Sequence, residues 1–234
     1  MERDPIGYLA AGPVWHALVV GTDGHLVDED GVVRIGSVLF ALIRPTEGHD
    51  AGFNHWYERD HFYTAGLAAP GVFSGARFIQ PEERLHLALY FVLPGHEDGR
   101  VAFAMDQMVL AADQDRLFSE REHLHTWTYN VEVAAVGEGG VAPSLALDRR
   151  FASVAVGWAD DGATQPDAAV VLVLKTAEPV MASSWDEGID PTTRRMVVAF
   201  GNATSTDPFA GLDGYHWTAR FEPVVFGTDT HVSG

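Results

Sequence analysis

The segment Phe53-Asn54-His55-Trp56-Tyr57-Glu58-Arg59-Asp60-His61-Phe62-Tyr63 sets an aspartate and a histidine side by side among aromatic rings. A carboxylate in apolar surroundings suits proton transfer, because desolvation raises its pKa toward the range of a general acid or base. On an α-helix with Phe53 at 0°, Trp56, Tyr57, Asp60, Tyr63 and Thr64 fall within about 80° of it, and His61 lies on the flank near 80°. His55, Glu58 and Phe62 then point to water. Asp60 is thus expected in a core-facing aromatic stripe, where a carboxylate without partners is costly. Asp60 and His61 are the candidate catalytic pair, with a purely structural hydrogen-bonding role as the alternative for each.

A second group lies on the segment from His123 to Val136. Strand alternation puts His123, His125, Trp127, Tyr129, Val131 and Val133 on one face. With Val131 and Val133 taken to mark the helix-covered side, this strand and the helix are expected to enclose one cleft. Its lining would be Trp56, Tyr57, Asp60, His61, His125, Trp127 and Tyr129, an aromatic wall with a few polar groups, as small-molecule pockets have. Trp56, Tyr57, His125, Trp127 and Tyr129 are therefore the candidate substrate-binding residues. His123 and His125 form an H-x-H pair that could hold a metal, a weak pattern on its own, and no metal site is assigned. Arg77, His86 and Tyr90 alternate to the opposite face, which a paired-sheet barrel would turn inward.

The elements that must position these groups follow from apolar periodicity and its breakers. Ile35 to Arg44 is predicted as a strand ended by Pro45, and Phe53 to Ala65 as a helix ended by Gly66. Strands follow at Val72–Ile79 and Leu85–Leu93, then a helix from Arg100 to about Glu122, then the strand His123–Val136. The order β-α-β-β-α-β is that of a ferredoxin-like module and spans residues 35–136. Gly137-Glu138-Gly139-Gly140 reads as a linker. Residues 14–33 are predicted as a hairpin, so 1–34 form an N-terminal extension. In the second half, strands are predicted at 150–158, 168–176, 194–201 and 215–226. The gaps have room for small helices only, one of them opening near Ser183-Ser184-Trp185-Asp186-Glu187. Residues 141–234 are expected to be a degenerate second module that pairs with the first as an internal pseudo-dimer. The fold class is α+β, a tandem α+β barrel.

The stretch from Asn54 to His61, followed by Ala69-Pro70-Gly71-Val72 and Gly75-Ala76-Arg77-Phe78, resembles the EthD-like branch of the dimeric α+β barrel superfamily. The resemblance covers about residues 35–136. It implies a ligand cavity between sheet and helices, with the motif's histidine at His61 and the preceding acidic position at Asp60. The superfamily includes cofactor-independent monooxygenases, polyketide cyclases, lactone isomerases and haem-binding members. Typical members are about half as long and dimerise through their sheets, so residues 140–234 are expected to supply the partner sheet in cis; a homodimer is left open.

Composition narrows the function. With 15 basic against 33 acidic residues the formal net charge is −18, which argues against a nucleic-acid partner. With no cysteine, thiolate chemistry is excluded. No apolar run approaches the roughly 20 residues that span a bilayer, and the first residues lack a signal-peptide pattern, so no membrane partner and a cytoplasmic location are expected. No nucleophile elbow, phosphate loop or dinucleotide fingerprint is present. The reading that remains is an acid–base enzyme, with no cofactor, for a hydrophobic, aromatic or polyketide-like small molecule: an isomerase, cyclase or lyase, or a monooxygenase. The alternatives are a non-catalytic binding protein and a haem- or metal-dependent oxidoreductase.

Overall fold

A computed structural model of the 234-residue chain describes residues 34–96, 99–136, 151–181, 194–201 and 207–227. The predicted hairpin at 14–33, the glycine linker and the helix near Ser183 lie outside these residues.

Eight strands form one antiparallel sheet that closes into a barrel. They are β1 (Ser37–Pro45), β2 (Val72–Gln80), β3 (Leu85–Val92), β4 (Arg121–Val136), β5 (Ser153–Asp160), β6 (Val170–Met181), β7 (Arg194–Gly201) and β8 (Tyr215–Pro223). Around the barrel the order is β1-β3-β2-β8-β5-β7-β6-β4. The first four strands are therefore contiguous in the order β4-β1-β3-β2, and the last four in the matching order β8-β5-β7-β6. The two seams differ in strength. The β4–β6 seam is long, running from Thr126↔Met181 to Val136↔Val170, whereas β2 meets β8 only at Phe78↔Pro223 and Ile79↔Glu222.

Two helical elements among the described residues cover the outer face of the first four strands. α1 (Asp50–Trp56) continues directly into a π-helix at Tyr57–Leu67. There the bonds reach five residues back, as from the Ala68 N–H to the Tyr63 carbonyl at 2.9 Å. α2 (Arg100–Asp113) stops well before the predicted Glu122. Asp115 at φ +53° reverses the chain, and the Arg116 N–H returns to the Ala111 carbonyl.

Alternation along each strand sends large apolar side chains inward. Phe40, Phe78, Phe91, Tyr129, Trp158, Phe200 and Phe221 are buried in one cluster with Val and Leu from most of the strands. The outer face carries smaller residues such as Ala41 and Ala88, against which Phe53, Tyr57 and Phe62 of the long helix pack. Over β5, β6 and β7 the outer cover among the described residues is chiefly Phe209, Leu212 and Tyr215 around Ala155, Val171 and Val197. No helix among the described residues is long and apolar enough to cross a membrane.

Gly66 sets how closely the long helix approaches the sheet. A Cβ at this position would overlap the Tyr90 ring, and one at Gly75 would lie 2.9 Å from the same ring. The Gly66→Ala variant is expected to lose about 1–3 kcal/mol through overpacking, lowering the melting temperature by roughly 2–4 °C per kcal/mol. Thermal denaturation followed by circular dichroism checks this, and an unchanged melting temperature would refute the close packing.

Candidate functional site

The change from α- to π-helix alters which residues face the sheet. More than four residues now make each turn, so the buried positions run Phe53, Tyr57, Phe62 and Gly66, at intervals of four, five and four. Phe62, expected in water, is completely buried. Glu58, also expected in water, keeps only 8% of its side chain exposed. Asp60, expected in the aromatic stripe, lies at the side of the helix instead. It binds Arg116 through both oxygens, 2.5 Å from Nη1 to Oδ1, and accepts the Thr64 hydroxyl at 3.0 Å. Trp56 Nε1 donates to the Arg116 carbonyl at 2.8 Å. Asp60 thus ties the loop after α2 to the helix.

The faces of β4 also differ from expectation. The register with β1 shifts between Leu42 and Ile43, pairing Leu42 with His125 but Ile43 with His123. Leu124 is the extra residue of this bulge, and a bulge breaks period-two alternation. His123 and Thr126 therefore face outward under the helices. His125, Trp127 and Tyr129 face the barrel interior, where His125 Nε2 lies 2.5 Å from the Tyr129 hydroxyl and its ring meets Phe40 and Trp158. The seven residues expected around one cleft are thus divided. Trp56, Tyr57 and His61 stand together outside the barrel, whereas His125, Trp127 and Tyr129 are core. His123 and His125 point to opposite faces and do not form a chelating pair. Arg77, His86 and Tyr90 do share a face opposite to Trp127, but it is the helix-covered one.

The cleft itself lies between β1, β3, β4 and the two helices and encloses about 510 Å³, counting solvent at its mouth. Leu39, Ala41, Ile43 and Ala65 make its walls, and Ala104, Met105 and Met108 of α2 its cover. Five polar tips reach it: Tyr57, Tyr90, His61, His123 and Thr126. Sequence reasoning missed Tyr90, Thr126 and the α2 methionines as lining. The spacing Met105-x-x-Met108 was visible as helix periodicity, but nothing in it distinguished pocket from core.

His61 stacks on Trp56, with ring centroids 4.3 Å apart, and meets the Tyr57 ring edge-on at 4.9 Å. Neither of its ring nitrogens has a hydrogen bond among the described residues. Burial, then the charge of Arg121 and the ring of His123, hold its pKa at about 3, against a weak opposite pull from Asp60. His123 is held at about 4, mainly by burial and then by Arg121. Arg121 Nε donates to His123 Nε2 at 3.1 Å, so the ring proton sits on Nδ1, 3.0 Å from the Thr126 hydroxyl. The lone pair of His123 is therefore engaged, while that of His61 is open to the cleft.

Beside His61 stands a tyrosine pair. The Tyr90 hydroxyl donates to that of Tyr57 at 3.2 Å, which leaves the Tyr57 proton available for a ligand. Burial raises the pKa of both. Behind Tyr57 the buried Arg77 guanidinium lies 4.4 Å from the ring centre. Arg77 donates to Asn54 Oδ1 at 3.1 Å, lies 3.3 Å from His86 Nδ1 and stands 3.7 Å from Glu58. Residues after β8 close this network from outside: the Gly227 N–H binds Glu58 at 2.9 Å, and Phe226 packs on Phe62 and beneath Arg77.

No protein-family model matches the sequence, and no curated protein does. Among solved structures, the crystal structure of an anthrone oxidase-like protein superposes with a TM-score of 0.50 at 8% identity, covering 86% of this chain and 98% of that one. The likeness is one of fold: a small α+β barrel.

Both cleft histidines titrate below the ordinary 6.5. The unfolded chain binds protons at 6.5, whereas the folded one refuses them until about 4 and about 3, so stability is complete above pH 6.5 and falls as pH drops below it. The melting temperature is expected to decline between pH 6.5 and 4, with a shallower slope in His61→Asn. Identical slopes in the two proteins would contradict a neutral buried His61.

Proposed function

We propose that the chain is a small-molecule enzyme that works by acid–base proton transfer on a hydrophobic aromatic ketone, without a cofactor. The observation that carries the reading is the neutral imidazole of His61, without a hydrogen bond among the described residues, beside the Tyr57 hydroxyl on the same helical wall of an apolar cleft. A base needs a free lone pair to accept the proton. His61 has one, and His123 does not; with its pKa held at about 3 His61 is a weak base, so the reading requires a substrate with an acidic C–H bond.

In the reaction we infer, a C–H bond next to a carbonyl breaks, its proton goes to His61, and its electron pair moves onto the carbonyl oxygen. Tyr57 donates a hydrogen bond to that oxygen as charge develops there. The Arg77 guanidinium behind the ring makes the neutral Tyr57 phenol a stronger hydrogen-bond donor to that oxygen, in the manner of preorganised electrostatic catalysis. Return of the proton at a different carbon gives an isomerisation. Collapse of the enolate gives a cyclisation or elimination. Asp60 acts in this reading as a positioning residue, through Arg116 and the Trp56 indole on which His61 stacks.

The neighbour's printed name, anthrone oxidase-like, supports a fused-ring ketone with an acidic methylene as the substrate type. We also read the two equal strand orders as tandem ferredoxin-like halves, 35–136 and 141–234, joined as a pseudo-dimer, with no long helix among the described residues of the second half.

Anthrone in deuterated buffer under anaerobic conditions tests the chemistry by NMR, which follows deuterium entry at the methylene carbon. The protein is expected to accelerate exchange, and His61→Asn to lower the catalysed rate by about 10²–10⁴. With the base neutral above about pH 3, the His61-dependent rate is expected to stay level from pH 5 to 8. Full activity in His61→Asn would overturn the assignment; tight anthrone binding without exchange would instead favour a carrier.

A further inference from the structure

We propose that Arg121 is an anion anchor at the edge of the cleft, and that the natural ligand is a flat aromatic molecule bearing a carboxylate. The proposal rests on the reading of the cleft as an aromatic-ligand site, and not on the role of His61.

Four arginines surround the long helix, and three have their charge answered. Arg84 binds Asp50 with two nitrogens, at 2.9 and 2.6 Å. Arg116 binds Asp60. Arg77 is held by Asn54, His86 and Glu58. Arg121 is different. It is half-buried, and its Nε is used by His123. Its two terminal nitrogens make no hydrogen bond and no ion pair among the described residues. The neighbouring Glu120 side chain is turned to the Ser119 hydroxyl. Of the four arginines around the long helix, Arg121 is thus the one with no hydrogen bond or ion pair to a carboxylate among the described residues, and the exposed Glu120 acts on it only through space.

Its placement suits a ligand. The guanidinium carbon lies 4.8 Å from the centre of the Trp56 ring, and the same indole stacks on His61. His123, which accepts the Nε hydrogen bond, lines the cleft. Stacking and the Nε bond together hold the guanidinium plane, so the terminal nitrogens form a fixed fork. Such a fork matches a carboxylate with two parallel hydrogen bonds, a geometry that lysine cannot reproduce. The cleft wall is otherwise uncharged, which leaves Arg121 to select the charge of what enters.

The test is isothermal titration of the full chain at pH 7 with two probes of equal ring size, 2-naphthoate and 2-naphthalenemethanol. Naphthoate is expected to bind at least tenfold more tightly. Arg121→Gln is expected to bring it down to the level of the alcohol, whose own affinity stays unchanged. Arg121→Lys keeps the charge without the fork and is expected to weaken naphthoate several-fold; this variant decides the matter if the glutamine variant fails to fold. His61→Asn is expected to retain the naphthoate preference, so the anchor and the base can fail separately. Equal affinities for the two probes, a preference that survives Arg121→Gln, wild-type naphthoate affinity in Arg121→Lys, or no binding of either probe would each overturn the proposal.

Discussion

An eight-stranded barrel has an interior just wide enough to be filled by side chains, and here large rings fill it. Phe40, Phe78, Phe91, Tyr129, Trp158, Phe200 and Phe221 leave the inside to packing. A ligand must then be held on the outer face, where a second layer is needed to make a cleft. That layer exists over the first four strands, where the long helix and α2 lie. Over β5 to β7 the cover among the described residues is the loop around Phe209 and Leu212. Closing the barrel in cis therefore does more than remove sheet edges. It sends the aromatic residues of β4 into the core and leaves the site to one half of the molecule.

The second half nonetheless reaches the site. Pairing of Phe78 and Ile79 with β8 brings the chain past β2, so that Phe226 and Gly227 arrive at Arg77 and Glu58. A buried guanidinium needs both a counter-charge and hydrogen-bond acceptors to offset its desolvation. Glu58 supplies the charge, and the backbone after β8 fixes Glu58. The electrostatics behind Tyr57 thus depend on a segment 169 residues away in the chain, which is a physical reason for the two halves to be covalently joined.

Much of the architecture was legible in the sequence. The strand expected at 194–201 is β7 at those residues, and the β-α-β-β-α-β order over 35–136 matches the elements observed. These features rest on alternation and on Pro and Gly breakers, signals that tertiary context seldom reverses. The site was less legible, because two local irregularities shift the periods on which it was read. The π-helix from Tyr57 moves Phe62 and Glu58 inward and Asp60 aside. The bulge at Leu124 separates His123 from His125. Neither leaves a mark in residue types, since the same side chains suit a regular helix or strand equally well. Val131 and Val133 do not mark one face either: a further register shift against β6 falls between them, so Val131 packs against the barrel core while Val133, paired with Val173, is exposed.

Both irregularities have a common consequence for the chemistry. A regular helix would place Asp60 in the cleft, where its charge would raise the pKa of His61 and tend to protonate it at neutral pH. The wide turn instead hands Asp60 to Arg116, and the bulge brings His123 and its partner Arg121 to the cleft in its place. The residues acting on His61 are then dominated by burial and by positive charge, which keep the imidazole neutral. The same positive surroundings favour a negative charge developing on a bound molecule. In the acid–base reading proposed above, the same positive charge would stabilise an enolate more than the ketone from which it forms, which is the differential binding that catalysis requires.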